Sequence, residues 1–492
     1  MTTAAPAQPH LHFVGVGGAG MSALAHLLLA RGAGVSGCDI RESPATARLR
    51  RLGAQVWHGH DPGHLEGVDV LVVSRAVREH TPEIRAAQAR GVPVRHRAAL
   101  LGQVMGEGRA VAVVGTHGKT TTTAMVTAVL DAGGLDPTAL VGADVPALGG
   151  NVRVGRPEVT VAEVDESDGS LLYVAPWAAV VTSLDLTDHA DFYATPGHLV
   201  ETFRRFLGAV RPGGFVLLCA DHPTVRGLAD AAPVPVLTYG LAAPADVIAE
   251  VQDLEGARVR AVVRRGRRRL GVLALRLPGR HNLSNALAAV AVGLQLDVPF
   301  AVAARALGAF AGVARRFEAR GEVAGTLVVD DYAHNPVKVA TVLRAARESW
   351  PQRRILVLFQ PHRYSRTLTT HAQFAQAFAD ADEVVVTEIY PADEAPLPGV
   401  TARLIVDAIR AHRSVEYYPA VADAVERVVA LARPGDLVLT LGAGDIWQAA
   451  EAIVARLRAR EGGPTAGPAA APSSTRRGHA AVSPEPGPVA GA

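Results

Sequence analysis

Twice along this chain a short apolar run passes through a glycine turn straight into a helical pattern. The first passage is residues 11–16, GVGGAG and a helix over 21–31; the second is 110–114, GTHGKT and a helix reaching about residue 132. A strand that feeds a helix in this way crosses back over its own sheet, so each passage founds a parallel sheet with helices on its faces. The rest of the chain keeps the rhythm. Strand patterns over 34–39 and 68–74 continue the first block, and 159–164, 178–184 and 214–219 continue the second. Patterns over 326–331, 354–359, 383–388 and 436–441 make a third. Residues 246–276 differ: their short, β-branched, arginine-rich runs predict antiparallel strands at a sheet edge.

The expected fold class is therefore α/β, with three doubly wound α/β domains in series. Their bounds are expected at 1–108, 109–313 and 314–460, and 492 residues suffice for three separate cores. The apolar stretch 285–314 is interrupted by Gln295, Asp297, Pro299 and Arg305, which predicts two packed helices and no membrane span. Residues 461–492 are Gly-, Pro-, Ala- and Ser-rich without periodicity, the pattern of a disordered tail. The 49 basic and 47 acidic side chains nearly cancel, so no charge excess points to nucleic acid or a membrane surface. Two cysteines, Cys38 and Cys219, and an opening without a charged, then apolar leader predict a cytoplasmic protein.

Only two lysines, Lys119 and Lys338, stand among 47 arginines. A chain drifted so far toward arginine keeps lysine where a compact ammonium works and a planar fork does not. Lys119 lies in the second glycine turn, between Gly118 and Thr120. There Gly115, Thr116, His117, Gly118, Lys119, Thr120 and Thr121 read as a phosphate loop for ATP: backbone amides and the lysine hold the β- and γ-phosphates, and the Thr120 hydroxyl holds Mg²⁺. Only two residues separate Gly115 from Gly118, shorter than the general P-loop.

The first turn, with Gly15, Gly17, Gly18 and Gly20, lets a diphosphate approach the backbone at a helix N-terminus, and Asp39 ends the next strand pattern. By itself it fits NAD as well as another nucleotide, which keeps an NAD-dependent oxidoreductase open. Two acidic groups, Glu163-Asp165-Glu166-Asp168 and Asp185-Asp188-His189-Asp191, follow strand patterns on the edge that carries the phosphate loop. Further on come Asn282 and Asn285 on one helical face, the pair Arg315-Arg316, Asp331 at a strand end, and His362, Arg363 and Arg366 after the next strand. Arginines three apart beside a strand end suit a carboxylate or a phosphate.

HFVGVGGAGMSALA, VVGTHGKTTTTAM, VAEVDESDGS, PGRHNLSNALAA, RRFE, VDDYAHNP, LFQPHRYSRT and YPADEAPLPG, in this order, resemble segments of the Mur ligases, a likeness covering nearly all of residues 10–458. The resemblance implies a first domain that binds the UDP of a sugar nucleotide, a central ATPase-like domain and a C-terminal domain that takes the amino acid. It implies ATP-dependent ligation of L-alanine to the lactyl carboxylate of UDP-N-acetylmuramate through an acyl phosphate, in peptidoglycan synthesis, by a monomer or homodimer. A family member that joins a whole peptide to the sugar nucleotide is the alternative. Carried over by position, Gly15, Gly17, Gly18, Gly20, Asp39 and Ser74 would face the UDP-sugar, and Asn282, Asn285 and Asp331 the ATP. Lys119 and Arg316 would attend the phosphates, Thr120, Glu163 and His189 the metal, and His362, Arg363 and Arg366 the amino acid. Ser183 stands where the family usually has asparagine, in a segment one residue longer.

Overall fold

The computed structural model describes residues 8–186, 192–193, 195–392 and 394–461. Three sheets follow one another along the chain. The first has five parallel strands in the order Gln55–His58, Gly34–Asp39, His10–Val14, Val70–Val73, Val94–His96. His10–Val14 is central, and its neighbours come from opposite directions in the chain order. The crevice beyond its carboxyl end, where the glycine turn begins, is the switch point at which such sheets take ligands.

The second sheet has ten strands. Arg109–Val114 lies between Arg156–Glu163 and Ala178–Val181, all parallel. That order carries the Glu163–Asp168 segment and Asp185 to the flanks of the turn after Val114. The arginine-rich region forms Val247–Glu255, Arg258–Arg265 and Arg268–Leu275, an antiparallel meander at one edge, as its pattern predicts. The antiparallel pair Pro137–Val145 and Gly150–Arg153 extends the other edge, so this domain is larger than a plain doubly wound unit. The stretch 285–314 contributes to two helices, Arg280–Gln295 and Phe300–Ala309. No helix among the described residues is long and apolar enough to cross a membrane.

The third sheet has six strands, with Leu437–Leu441 between Thr326–Asp331 and Ile355–Phe359 in parallel and Glu318–Val323 antiparallel at the edge. It is covered on both faces by apolar clusters of its own. The first two sheets instead share one continuous core. Helix Ala19–Ala30 buries Met21, Ala23, Leu24 and Leu27 in the cluster that holds Val111, Val113 and Leu140 of the second sheet. Of the tail expected over 461–492, residues 462–492 lie outside the described residues, and Glu461 ends the last helix, Trp447–Arg460, as its cap.

Candidate active site

The turn after Val114 needs glycine for two separate reasons. Gly118 caps helix Lys119–Ala132 at φ +81°, and a Cβ there would stand 2.6 Å from Asn285 Oδ1. Gly115, at φ +125°, is hemmed in by Thr182 and Ser183. Ser183 proves to be a wall of the loop: its Oγ accepts the His117 backbone N–H at 2.9 Å and lies 3.2 Å from Thr116 Oγ1, which in turn accepts the Asp185 N–H at 2.9 Å. His117 Nε2 lies 3.3 Å from Asp185 Oδ2. Thr121 is buried in the first helical turn, and Thr122 Oγ1 donates to Asn285 Oδ1 at 3.1 Å. Asn285 thus ties helix Arg280–Gln295 to the loop's helix, while Asn282 Nδ2 donates to Pro278 O at 2.8 Å.

Lys119 Nζ sits among three acceptors, Gly115 O at 2.8 Å and both Glu166 oxygens at 2.9 Å, with Asp165 Oδ1 3.8 Å away. Burial disfavours its charge, but Glu166, Asp165 and Glu163 together outweigh burial and hold the ammonium protonated well above its ordinary range. Beside it Thr120 Oγ1 donates to Glu163 Oε1 at 3.0 Å, and the Gly142 N–H donates to Glu163 Oε2 at 2.7 Å. Burial raises the proton affinity of Glu163, opposed by Lys119 and by Arg316 from the third domain. A hydroxyl and a carboxylate in contact, both oxygen donors, are the ligand chemistry of a hard divalent cation such as Mg²⁺. Asp168 serves otherwise: its Oδ2 meets Arg97 Nη2 of the first domain at 3.4 Å. His189, with Asp188 and Asp191, lies outside the described residues.

A cavity of about 850 Å³ joins this centre to the first domain. Gly15, Gly18, Gly20, Asp39 and Ser74 line one end, Gly142, Glu163 and Asp165 the other. Gly17 is required by close approach, since a Cβ would lie 2.9 Å from Asp39 Oδ2 and 3.1 Å from Ser43 Oγ. Asp39 accepts the Gly17 N–H at 2.8 Å and the Arg41 N–H at 3.0 Å, so its carboxylate braces the glycine turn from the adjacent strand.

In the third domain the arginine pair divides its work. Arg315 donates to Asp330 Oδ2 at 3.1 Å and to the carbonyls of Gly442 and Gly444 at 2.6 and 3.1 Å, locking the turn. Arg316 lies over the Tyr332 ring at 5.0 Å, between residues with positive φ, and acts on both Glu163 and Asp331. Asp331 accepts the N–H groups of Phe317 and Ala333, each at 2.7 Å, and burial pushes its carboxyl up to about 6. His362 stacks on Tyr390 with centroids 5.7 Å apart, and its Nδ1 is 3.1 Å from Arg366 Nη1. Burial, reinforced by Arg366 and Arg363, lowers the His362 pKa to about 4. Arg363 has φ +70°, and its buried Nε has no hydrogen-bond partner among the described residues. Across the cleft, Arg41 Nη1 reaches Tyr390 OH at 3.3 Å, joining first and third domains. Sequence reasoning missed Gly142, Arg97 and Arg41: Gly142 reaches Glu163 from a neighbouring strand of the same sheet, and the two arginines act across domain boundaries that no local pattern marks.

Known proteins fit this frame. Residues 10–109 match the Mur ligase family catalytic domain, 113–293 the Mur ligase middle domain and 315–444 the Mur ligase glutamate ligase domain. The UDP-N-acetylmuramate–L-alanine ligase of Geobacter sulfurreducens is 44% identical over 451 residues, covering 91% of this chain and 97% of that protein. That of Rubrobacter xylanophilus is 46% identical over 456 residues, covering 91% and 100%. The crystal structure of UDP-N-acetylmuramate–alanine ligase from Thermotoga maritima superposes with a TM-score of 0.78 at 30% identity, covering 92% of this chain and 99% of that one. With all three domains matched in order and relatives aligned over nearly their full length, the chain belongs to the Mur ligase family.

Proposed function

We propose that this chain is a UDP-N-acetylmuramate–L-alanine ligase, joining L-alanine to the lactyl carboxylate at the expense of ATP, in peptidoglycan precursor synthesis in the cytoplasm. The relatives of that name support the activity. The observation that carries the chemistry is the continuous cavity running from the Gly15 turn to Glu163 and Asp165 beside Lys119. A sugar nucleotide anchored by its diphosphate at the first domain would extend its carboxylate to the phosphate loop of the second.

A lactyl carboxylate oxygen attacks the γ-phosphorus, the bond to the β,γ-bridging oxygen breaks, and ADP leaves an acyl phosphate. The neutral amine of alanine then attacks the acyl carbon and gives up a proton to solvent, and the tetrahedral intermediate expels phosphate to leave the amide. Lys119 Nζ and the loop N–H groups would hold the negative charge on the transferring group, which is where such reactions gain most of their rate. Thr120 and Glu163 would hold Mg²⁺, which when bound neutralises phosphate charge. Arg316 approaches the same centre from the third domain and would add its charge as the domains close. Arg363 and Arg366 would take the alanine carboxylate, with His362 kept neutral beside them.

The test is phosphate release by the purified chain with Mg²⁺, ATP, UDP-N-acetylmuramate and L-alanine, each substrate omitted in turn, with the product weighed by mass spectrometry. Release that needs all three and yields the alanyl product supports the assignment. Release with a tripeptide in place of alanine moves the chain to peptide joining, and no release overturns the reading.

A further inference from the structure

Beneath the sheet of the first domain, four side chains from four elements converge away from the ligation machinery. His12 comes from strand His10–Val14, Cys38 from Gly34–Asp39, His64 from the short turn Pro62–Leu65 and Glu83 from the first turn of helix Pro82–Arg90. The register pairs His12 with Ser36 and Val14 with Cys38, so a period of two puts His12 and Cys38 on one face. One ligand atom from each of the four lies within 4.8 Å of all the others. Cys38 Sγ is 3.3 Å and His64 Nδ1 3.2 Å from Glu83 Oε1, and a third histidine, His60, stands 3.6 Å from the sulfur.

His12 and Glu83 are fully buried. His12 Nδ1 is engaged by Ser36 Oγ at 2.9 Å, which leaves Nε2 as the nitrogen open to the cluster, and Nε2 has no hydrogen-bond partner among the described residues. A buried imidazole nitrogen left bare is costly unless something fills its lone pair. Glu83 forms ion pairs only with His60 and His64 among the described residues, with no lysine or arginine to neutralise it. One sulfur, two imidazole nitrogens and one carboxylate oxygen form a donor set that suits tetrahedral zinc, and the Ser36 hydroxyl on the other nitrogen of His12 fixes the ring's orientation, as outer contacts do for ligating histidines.

We infer that His12, Cys38, His64 and Glu83 form a structural Zn²⁺ site in the first domain. Zinc takes the place of the Cys38 thiol proton, which leaves to solvent, so Sγ binds as thiolate and no oxidant is involved. Cys38 adjoins Asp39, the brace of the glycine turn, and His60 lines the cavity above. The ion therefore pins the floor of the sugar-nucleotide cleft from below.

The test uses the full chain, stripped with a chelator, dialysed and titrated with Co²⁺, then Zn²⁺. The expected result is one equivalent bound, tetrahedral Co²⁺ absorption with a thiolate-to-cobalt charge-transfer band, its loss on adding Zn²⁺, and a rise in melting temperature with Zn²⁺. Cys38→Ser abolishes the charge-transfer band, whereas Cys219→Ser, which removes the other buried thiol, keeps it. His64→Gln, altering the ligand nearest solvent, weakens Co²⁺ binding at least tenfold and serves if Cys38→Ser does not fold. No uptake, uptake without a thiolate band, a band unchanged in Cys38→Ser, or Co²⁺ affinity unchanged in His64→Gln overturns the site.

Discussion

Lys119 shows why lysine survives at one position of a chain that otherwise uses arginine. Three oxygens at 2.8–2.9 Å converge on one nitrogen, a geometry for a compact ammonium that the planar guanidinium fork cannot meet. Lys119→Arg is therefore expected to lose activity nearly as far as Lys119→Ala, both by about 100- to 1000-fold in phosphate release. Binding of UDP-N-acetylmuramate, measured by calorimetry, should survive in both, because the diphosphate seat proposed for it lies in another domain. An arginine variant near the wild-type rate would show that a compact charge is not required there. Composition and motif together single out Lys119 from the sequence alone. Asp39 and Asp331 are legible there as carboxylates at strand ends, but the N–H groups they accept are not. Those donors, on Gly17 and Arg41 and on Phe317 and Ala333, come from turns that fold back only once the sheets exist. Ser183 reads only as a departure from pattern, and its contact with the loop depends on a strand that delivers it to Thr116 from 67 residues away.

At the scale of elements, the loop works because helix Arg280–Gln295 is packed against helix Lys119–Ala132 and offers Asn285 to the gap that Gly118 leaves. Gly118→Ala meets two penalties: a positive φ disfavoured for a residue with a Cβ, and collision with the Asn285 amide. The expected cost is about 1–3 kcal/mol, read as a lower melting temperature together with weaker ATP binding. Gly118→Ala with Asn285→Ala should regain only part of the loss, since the collision goes while the backbone strain stays. Full recovery would show that φ does not matter there, and no recovery that Asn285 does not crowd the loop. The alternation of strands and helices is readable from apolar runs and glycine turns. Strand order is not, because placing Arg109–Val114 between Arg156–Glu163 and Ala178–Val181 depends on pairings between distant segments. The edge pair Pro137–Val145 and Gly150–Arg153 leaves no clean signal either; its pairing is broken by a bulge between Leu140 and Val145.

Across the whole molecule, the first two domains are welded by a common core, while the third holds to them through polar contacts such as Arg41–Tyr390 and the reach of Arg316 toward Glu163. Burial at these sites also sets how the fold responds to acid, and three histidines and one aspartate pull in opposite directions. His281 and His362 are lowered to about 4, the first by burial alone, and His334 well below its ordinary value by burial and then by Lys338 and Arg366. Unfolded, each takes a proton near pH 6.5; folded, His281 and His362 stay neutral until about pH 4, and His334 likewise gives up its proton well below its ordinary range. The unfolded chain then binds more protons, so the stability these residues contribute is complete above about pH 6.5 and is lost as pH falls toward 4. Asp331 has the reverse sign. Its carboxyl, raised from 3.8 to about 6, holds a proton in the fold that the unfolded chain has released, so its contribution is complete below pH 3.8 and is lost as pH rises through 6, by about 3 kcal/mol in all. The melting temperature followed from about pH 7 to about pH 4 should therefore respond oppositely to two substitutions. His281→Gln removes a group that titrates unfavourably in acid and must flatten the decline. Asp331→Asn removes the offsetting group and must steepen it, the gain appearing at neutral pH. Parallel curves for both variants and the parent would mean that neither environment is as dry as the packing around helix Arg280–Gln295 and strand Thr326–Asp331 requires.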